Sequence, residues 1–353
     1  MQITRAEVIP IELKLHQPLR MAGNTQIDRV IAIFVRFETR DGWNAWGCGV
    51  AHPHLTGEDP HHAIHVCHEC AERVPALHPI NIEYSLAELT PLTNKSLAAS
   101  CAFDLAFHDL LGLVAGLPLY RIFGGYRNRI QTSITIPIAP VEESVEIAEA
   151  YAQRGFRILK IKGGVNPEED VARVKAIRRA LPALVLRLDA DGGYDVRAAL
   201  DVARALKGDL EMLEQPTPAH DLDALHQVTQ HSPLPILADQ SVMGLDSVIN
   251  LAAKHIVNGV TVKVATCGGM RCARAVDTVA RAGRISTMVS CVIEPALLIA
   301  AGLSLALSSP NVSYGDLDGN LDLVNDPTMP GFKLEDGWLV ASDVPGLGCT
   351  VNI

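Results

Sequence analysis

The stretch Arg157-Ile158-Leu159-Lys160-Ile161-Lys162 decides the fold. It is an apolar run that closes on two lysines two residues apart. Four runs of the same kind follow: Leu184-Val185-Leu186-Arg187-Leu188-Asp189, Leu210-Glu211-Met212-Leu213-Glu214, Leu234-Pro235-Ile236-Leu237-Ala238-Asp239 and Gly259-Val260-Thr261-Val262-Lys263. From Lys162 the charged ends are spaced by 27, 25, 25 and 24 residues. Each step is about one strand, one helix and two short loops. A charge at the carboxyl end of each strand is the pattern of an active site at the mouth of a β/α barrel.

Outward from this core, a strand is predicted at 132–138, and two more at 285–290 and 312–318. Helices are predicted between them, among them Val141–Gln153, Pro167–Ala180, 196–206, 268–282 and 295–307. Pro167 suits a first helical turn and Gly155 a helix end. Eight strand slots with seven intervening helices make an α/β chain whose residues 126–320 form a modified (β/α)7β barrel. Upstream, 8–13 and 30–37 alternate as antiparallel strands, and Asp41-Gly42 is a hairpin turn. Residues 60–120 read as helical, with 96–115 stopped by Gly116. Residues 1–125 are therefore expected to be an α+β capping domain. The tail 321–353, with short strands at 332–334 and 338–340, is expected to return to it.

The chain has 353 residues, 48% hydrophobic, with a formal net charge of −10. No dense Lys/Arg run indicates a nucleic-acid surface. No apolar stretch reads as a membrane span free of charges or breakers. The opening residues read as a strand rather than a leader. Eight scattered cysteines fit reduced thiols and a cytoplasmic setting. The cluster His61, His62, His65, Cys67, His68, Cys70 reads as an amphipathic helix rather than a zinc site, because no second ligand pair follows at finger spacing.

Asp189, Glu214 and Asp239 end three successive strands about 5 Å apart, so their carboxylates can converge on one cation. All-oxygen ligation suits Mg²⁺, with Mn²⁺ as a substitute. Lys160 and Lys162 share one strand face. Lys263 lies beyond the carboxylates on the far side. A lysine beside a bound cation is expected to have a lowered pKa and to serve as a base. A metal that holds a substrate carboxylate acidifies the adjacent carbon by stabilising the enediolate left on proton loss. One lysine then removes the proton and the opposite one returns it.

At these residues the chain resembles the enolase superfamily, in its muconate-lactonizing-enzyme-like subgroup. The matching residues are Lys160-Ile161-Lys162, Asp189, Glu214-Gln215-Pro216, Asp239 with Ser241, and Lys263 with Gly268-Gly269-Met270. Thr56-Gly57-Glu58, Gly116-Leu117-Pro118-Leu119-Tyr120 and Phe123-Gly124-Gly125 match its capping domain. Within the subgroup, Asp316-Leu317-Asp318 is similar to the D-x-D signature of dipeptide epimerases of the L-Ala-D/L-Glu type, where the pair binds the substrate α-ammonium. The resemblance implies Lys162 and Lys263 as acid/base catalysts and Lys160 as a stabiliser of the enolate. It also implies specificity loops near 16–26 and 50–60, the first containing Arg20. Thr135 is implied to touch substrate, and Ser290 and Ile293 to present backbone groups to it. A homo-oligomer, from dimer to octamer, is a further implication.

Four positions depart from the pattern. Gln240 stands where Glu is usual, Asp191 where Asn is usual, Cys48 where Glu is common, and Ser290 where Gly is usual. The leading expectation is a Mg²⁺-dependent dipeptide epimerase working by 1,1-proton transfer at the α-carbon of the C-terminal residue. Racemisation of N-acylamino acids, o-succinylbenzoate synthesis and muconate cycloisomerisation use the same scaffold. A non-catalytic ligand-binding barrel is the alternative of a different class.

Overall fold

The computed structural model describes residues 1–20 and 26–353, with the backbone alone at position 20. The N-terminal unit begins with an antiparallel sheet, β1 (Ile3–Arg20), β2 (Gln26–Thr39) and β3 (Asn44–Ala51), in that order. Strands β1 and β2 are far longer than the alternating segments that announce them. Helices α1 (Pro53–Thr56), α2 (Pro60–Arg73), α3 (Ile82–Thr93), α4 (Leu97–Ala115) and α5 (Leu119–Ile122) follow.

Helix α4 starts at Ser96, whose hydroxyl accepts from Ala99 N, and stops at Gly116, which sits in the left-handed region at φ 67°. It is long and apolar enough to cross a membrane, yet 72% of its most apolar 18-residue window is buried inside the protein. It lies on β3 at backbone contact. A Cβ at Gly47 would sit 1.9 Å from the Ala102 carbonyl oxygen, and one at Gly49 1.9 Å from that of Ala98. Two glycines on one face of the strand therefore set the distance of the helix. Helix α2 buries Ala63, Val66, Cys67 and Cys70 and exposes His61, His62, His65 and His68. The thiols and imidazoles face opposite ways, so this cluster is an amphipathic helix.

After β4 (Arg129–Gln131) comes the barrel: β5 (Ile134–Ile136), α6 (Val141–Gln153), β6 (Ile158–Lys162), α7 (Pro167–Ala180), β7 (Val185–Asp189), α8 (Val196–Ala205), β8 (Met212–Glu214) and α9 (Leu222–His231). It continues with β9 (Ile236–Ala238), α10 (Leu245–Ala253), β10 (Gly259–Lys263), α11 (Met270–Ala282), β11 (Ser286–Ser290), α12 (Ala296–Ser308) and β12 (Val312–Asp316). The eight strands β5 to β12 pair in sequential order. A parallel bridge between Thr132 and Gly315 joins the first side to the last. This is the (β/α)7β barrel the charge rhythm predicts. Local signals place the helix starts. The side chain of Asn166 accepts from Glu168 N and Glu169 N with Pro167 in the first turn, and Asp195 and Asp221 cap α8 and α9.

Register brings the charged strand ends level. Lys162 pairs with Asp189, and Asp189 with Glu214. On the far side Lys263 pairs with Ser290, and Ser290 with Asp316. The last strand ends at Asp316, so Asp318 lies just beyond it.

Four short strands complete the chain: β13 (Thr328–Met329), β14 (Phe332–Glu335), β15 (Trp338–Ala341) and β16 (Thr350–Val351). The hairpin β14–β15 pairs with β4. The tail reaches the N-terminal unit elsewhere: Leu15 bridges Leu323, and Asp109 on α4 accepts from Leu347 N at 2.7 Å.

Candidate active site

The mouth of the barrel opens into a cavity of about 350 Å³, lined by Lys160, Lys162, Lys263, Asp316, Asp318 and Thr135 among others. The β-strands supply the charged floor. The wall comes from the N-terminal unit, through Leu19, Ile27, His52 and Leu55, and from the loop after β11, through Ile293.

Asp189, Glu214 and Asp239 are buried, and one oxygen from each lies within 4.8 Å of the others. Asp189 and Glu214 are the last residues of their strands, and Asp239 is one beyond β9. Gln215, at φ 34°, fixes the third: its Oε1 accepts from Asp239 N at 2.8 Å and Ser241 N at 3.1 Å. Its Nε2 donates to the Ser241 hydroxyl. Thr261, two residues before Lys263 and so on the same strand face, donates to Glu214 Oε1 at 2.8 Å. Burial pushes the Glu214 carboxyl up to about 8, with Asp189 adding to the effect. A dry, crowded set of three carboxylates with hard oxygen donors fits a divalent cation such as Mg²⁺.

Lys160 Nζ sits among three carboxylates, 2.9 Å from Asp189 Oδ2, 2.9 Å from Glu214 Oε2 and 2.8 Å from Asp316 Oδ2. Lys162 Nζ lies 2.8 Å from Asp189 Oδ2 and 3.0 Å from Asp191 Oδ1. Lys263 Nζ lies 2.7 Å from Asp239 Oδ2. The two lysines thus flank the carboxylate cluster from opposite ends. Burial opposes their charge, but the adjacent carboxylates outweigh it and raise both above the usual lysine value. The carboxylates act on the ammonium groups directly; the lowering expected of these lysines belongs to the cation-bound site.

The pair Asp316 and Asp318 faces the cavity with unequal freedom. Asp316 accepts from Lys160, from Ser133 Oγ at 2.5 Å and from Ser290 Oγ at 2.6 Å. It anchors Lys160. Asp318 accepts from Thr135 N at 2.7 Å, and burial together with Asp316 pushes it up to about 6. Thr135 therefore acts first on Asp318, through its backbone. Ser290 is occupied by Asp316. The Ile293 carbonyl, expected to meet substrate, is 3.2 Å from His52 Nε2. Burial holds the His52 imidazole down at about 4, so it is neutral and ties the first capping helix to the barrel rim. The side chain of Arg20 lies outside the described residues.

Sequence reasoning missed Ser133 and Thr261, named Gln215 only as part of the Glu214-Gln215-Pro216 motif, and placed His52 only in the 50–60 loop. Thr261 carried a signal of its own, its two-residue offset from Lys263. Two of the departures, Asp191 and Gln240, prove to be partners: Gln240 Nε2 donates to Asp191 Oδ1 at 2.9 Å. Cys48 is buried in the apolar cluster that the N-terminal sheet shares with the barrel, with burial raising its thiol.

A barrel with opposed lysines about a carboxylate triad, under an α+β cap, defines an enolase-type class of protein. A profile described as "Enolase C-terminal domain-like" matches residues 143–352, and the chain belongs to this family, the enolase superfamily. Among its relatives, the L-Lys-D/L-Arg epimerase of Desulforapulum autotrophicum is 35% identical, over 99% of both chains. The L-Ala-D/L-Glu epimerase of Bacillus subtilis is 30% identical, over 99% of this chain and 96% of the relative. A crystal structure of a dipeptide epimerase from Enterococcus faecalis V583, complexed with Mg and L-Leu-L-Tyr, superposes with a TM-score of 0.95 at 31% identity, over 99% of this chain and all of that one.

Proposed function

We propose that this protein is a Mg²⁺-dependent dipeptide epimerase. The observation that carries the proposal is the placement of Lys162 and Lys263 at opposite ends of one carboxylate triad, with Asp318 facing the same cavity. Asp189, Glu214 and Asp239 would hold the ion, which supplies positive charge for the carboxylate of the substrate's C-terminal residue. Lys162 and Lys263 meet the two faces of that residue's α-carbon. One takes the proton and the other delivers one, which inverts the centre. Lys160, itself held by Asp316, adds fixed positive charge where negative charge develops. Asp318 receives the α-ammonium of the N-terminal residue, positioned by Thr135 N. A cavity of about 350 Å³ accommodates a ligand of dipeptide size.

Residues 1–125 act as the cap, 126–320 as the catalytic barrel, and 321–353 as a tail that braces the two. The eight thiols, all unpaired as cysteines, agree with a cytoplasmic setting.

The test is α-proton exchange. The Mg²⁺-loaded protein is incubated with pooled L,L-dipeptides in D₂O and deuterium uptake is read by mass spectrometry. Uptake that requires Mg²⁺ and disappears when both lysines are replaced is the expected result. A folded, metal-loaded protein that exchanges no dipeptide would overturn the proposal.

A further inference from the structure

The two catalytic lysines are not held alike. Lys263 has one carboxylate against its Nζ among the described residues, that of Asp239, which belongs to the metal triad. Lys162 has two: Asp189, of the triad, and Asp191, which is outside it. Both oxygens of Asp191 reach the ammonium, at 3.0 and 3.1 Å. Asp191 is itself fixed. Its backbone stands at φ 46°, a left-handed conformation that Asp tolerates better than most residues. Its N–H donates to Asp189 Oδ1 at 3.1 Å, and its Oδ1 accepts from Gln240 Nε2 at 2.9 Å. Only the amide nitrogen of Gln240 can face a carboxylate, so the direction of that bond is determined. Gln240 comes from the loop after β9, two strands away, and the bond spans the mouth of the barrel beside the metal triad.

We infer that Asp191, braced by Gln240, is a positioning residue dedicated to Lys162, so that the two proton-transfer arms of this site are anchored independently. When a cation engages Asp189 and Asp239, Lys162 keeps a carboxylate of its own, whereas Lys263 has to share its partner with the ion. Asp191 touches neither the opposite lysine nor the residues of the ammonium socket. The inference rests on the acid/base roles proposed above for Lys162 and Lys263.

Each arm can be read separately. In Lys263→Ala protein, α-proton exchange reports Lys162 alone, and in Lys162→Ala protein it reports Lys263 alone, each measured on the dipeptide epimer whose α-hydrogen faces the remaining lysine. Asp191→Gly is added to each, because glycine accepts the left-handed backbone without strain. The ratio of Lys162-driven to Lys263-driven exchange should fall by about 10- to 100-fold, the scale of a misplaced catalytic group. Asp191→Asn should recover part of it, since the amide oxygen can still accept from Lys162. Equal loss in both backgrounds would overturn the inference and mark Asp191 as a general support of the metal site. Crystal structures of the Mg²⁺-loaded wild type and Asp191→Gly protein give a readout that needs no turnover. Lys162 Nζ should leave its wild-type position while Lys263 Nζ keeps its own. An unmoved Lys162 would overturn the inference even if no dipeptide exchanged. Loss of exchange in both single-lysine proteins before Asp191 is touched would instead count against the epimerase proposal.

Discussion

Lys160 Nζ lies 2.8 Å from Asp316 Oδ2 and joins the second strand of the barrel to the last. Both groups are buried, at 3% and 2% exposure. The pair has a measurable consequence that separates the two acids of the proposed ammonium socket. Asp316→Asn leaves a buried ammonium short of one partner and should cost about 3 kcal/mol of stability, as for other broken buried pairs. It should also lower kcat for every substrate. Asp318→Asn should instead raise KM, and only for substrates with a free α-ammonium. Denaturant unfolding and kinetics on a dipeptide and its N-acylated form check both outcomes. Equal behaviour of the two variants would remove the distinction.

The carboxylate triad predicts linkage between metal and stability. Mg²⁺ at 100 times its Kd should stabilise the fold by about 2.7 kcal/mol. Asp239→Asn should weaken Mg²⁺ by at least about tenfold and remove about half of that gain or more. Calorimetric titration and thermal melts with and without chelator measure this. Wild-type melts that ignore Mg²⁺ would count against the site.

Asp109 provides a pH test remote from the cavity. Its carboxylate accepts from Trp46 N at 2.8 Å and Leu347 N at 2.7 Å, and burial pushes its pKa up to about 6. The folded value lies above the unfolded one, so the folded state holds the proton more tightly. Stability from this group is present below about pH 4 and is lost as pH rises toward 6. The size is about 3 kcal/mol. In Asp109→Asn that slope should vanish, at a cost of about 1–3 kcal/mol for the N–H left unpaired. Unfolding of both proteins between pH 4 and 7 compares the slopes. Equal slopes would exclude Asp109 as their source.

Gly49 tests the seating of α4 on β3. An added Cβ would lie 1.9 Å from the Ala98 carbonyl oxygen, which belongs to rigid backbone. Gly49→Ala should destabilise by about 3 kcal/mol or prevent folding. Gly42→Ala, at an exposed turn with no atom within 4 Å, meets only the strain of φ 87° and should cost far less. Similar losses in the two variants would refute packing as the cause.

The barrel was legible because its strands end on charges at one level, and register then fixes which charge meets which. Lys162, Asp189 and Glu214 are neighbours in successive ladders, as their spacing implies. Contacts among uncharged residues left no such trace. Gln215 clamps Asp239 through an unusual backbone angle, and nothing in the periodicity marks it. Ser133 meets Asp316 across 183 residues of chain, through closure of the barrel. The pairing of β14–β15 with β4 depends on a strand of only three residues, too short for an alternation signal. Asp191 and Gln240 were each visible as departures, but their bond follows only from the geometry of two loops.

Asp104, in the middle of α4, accepts from Met270 N at 2.6 Å and from Arg271 N at 3.3 Å, and so starts the barrel helix that follows Lys263. Gly269 lies so close that an added Cβ would be 2.5 Å from the Asp104 side chain. The cap thus supplies a structural part of the barrel's own catalytic sector. Chimeras that graft another relative's cap onto this barrel inherit the constraint. A transplanted cap without an acid at this position would leave two amides exposed behind Lys263, and would alter turnover without touching a residue that meets substrate.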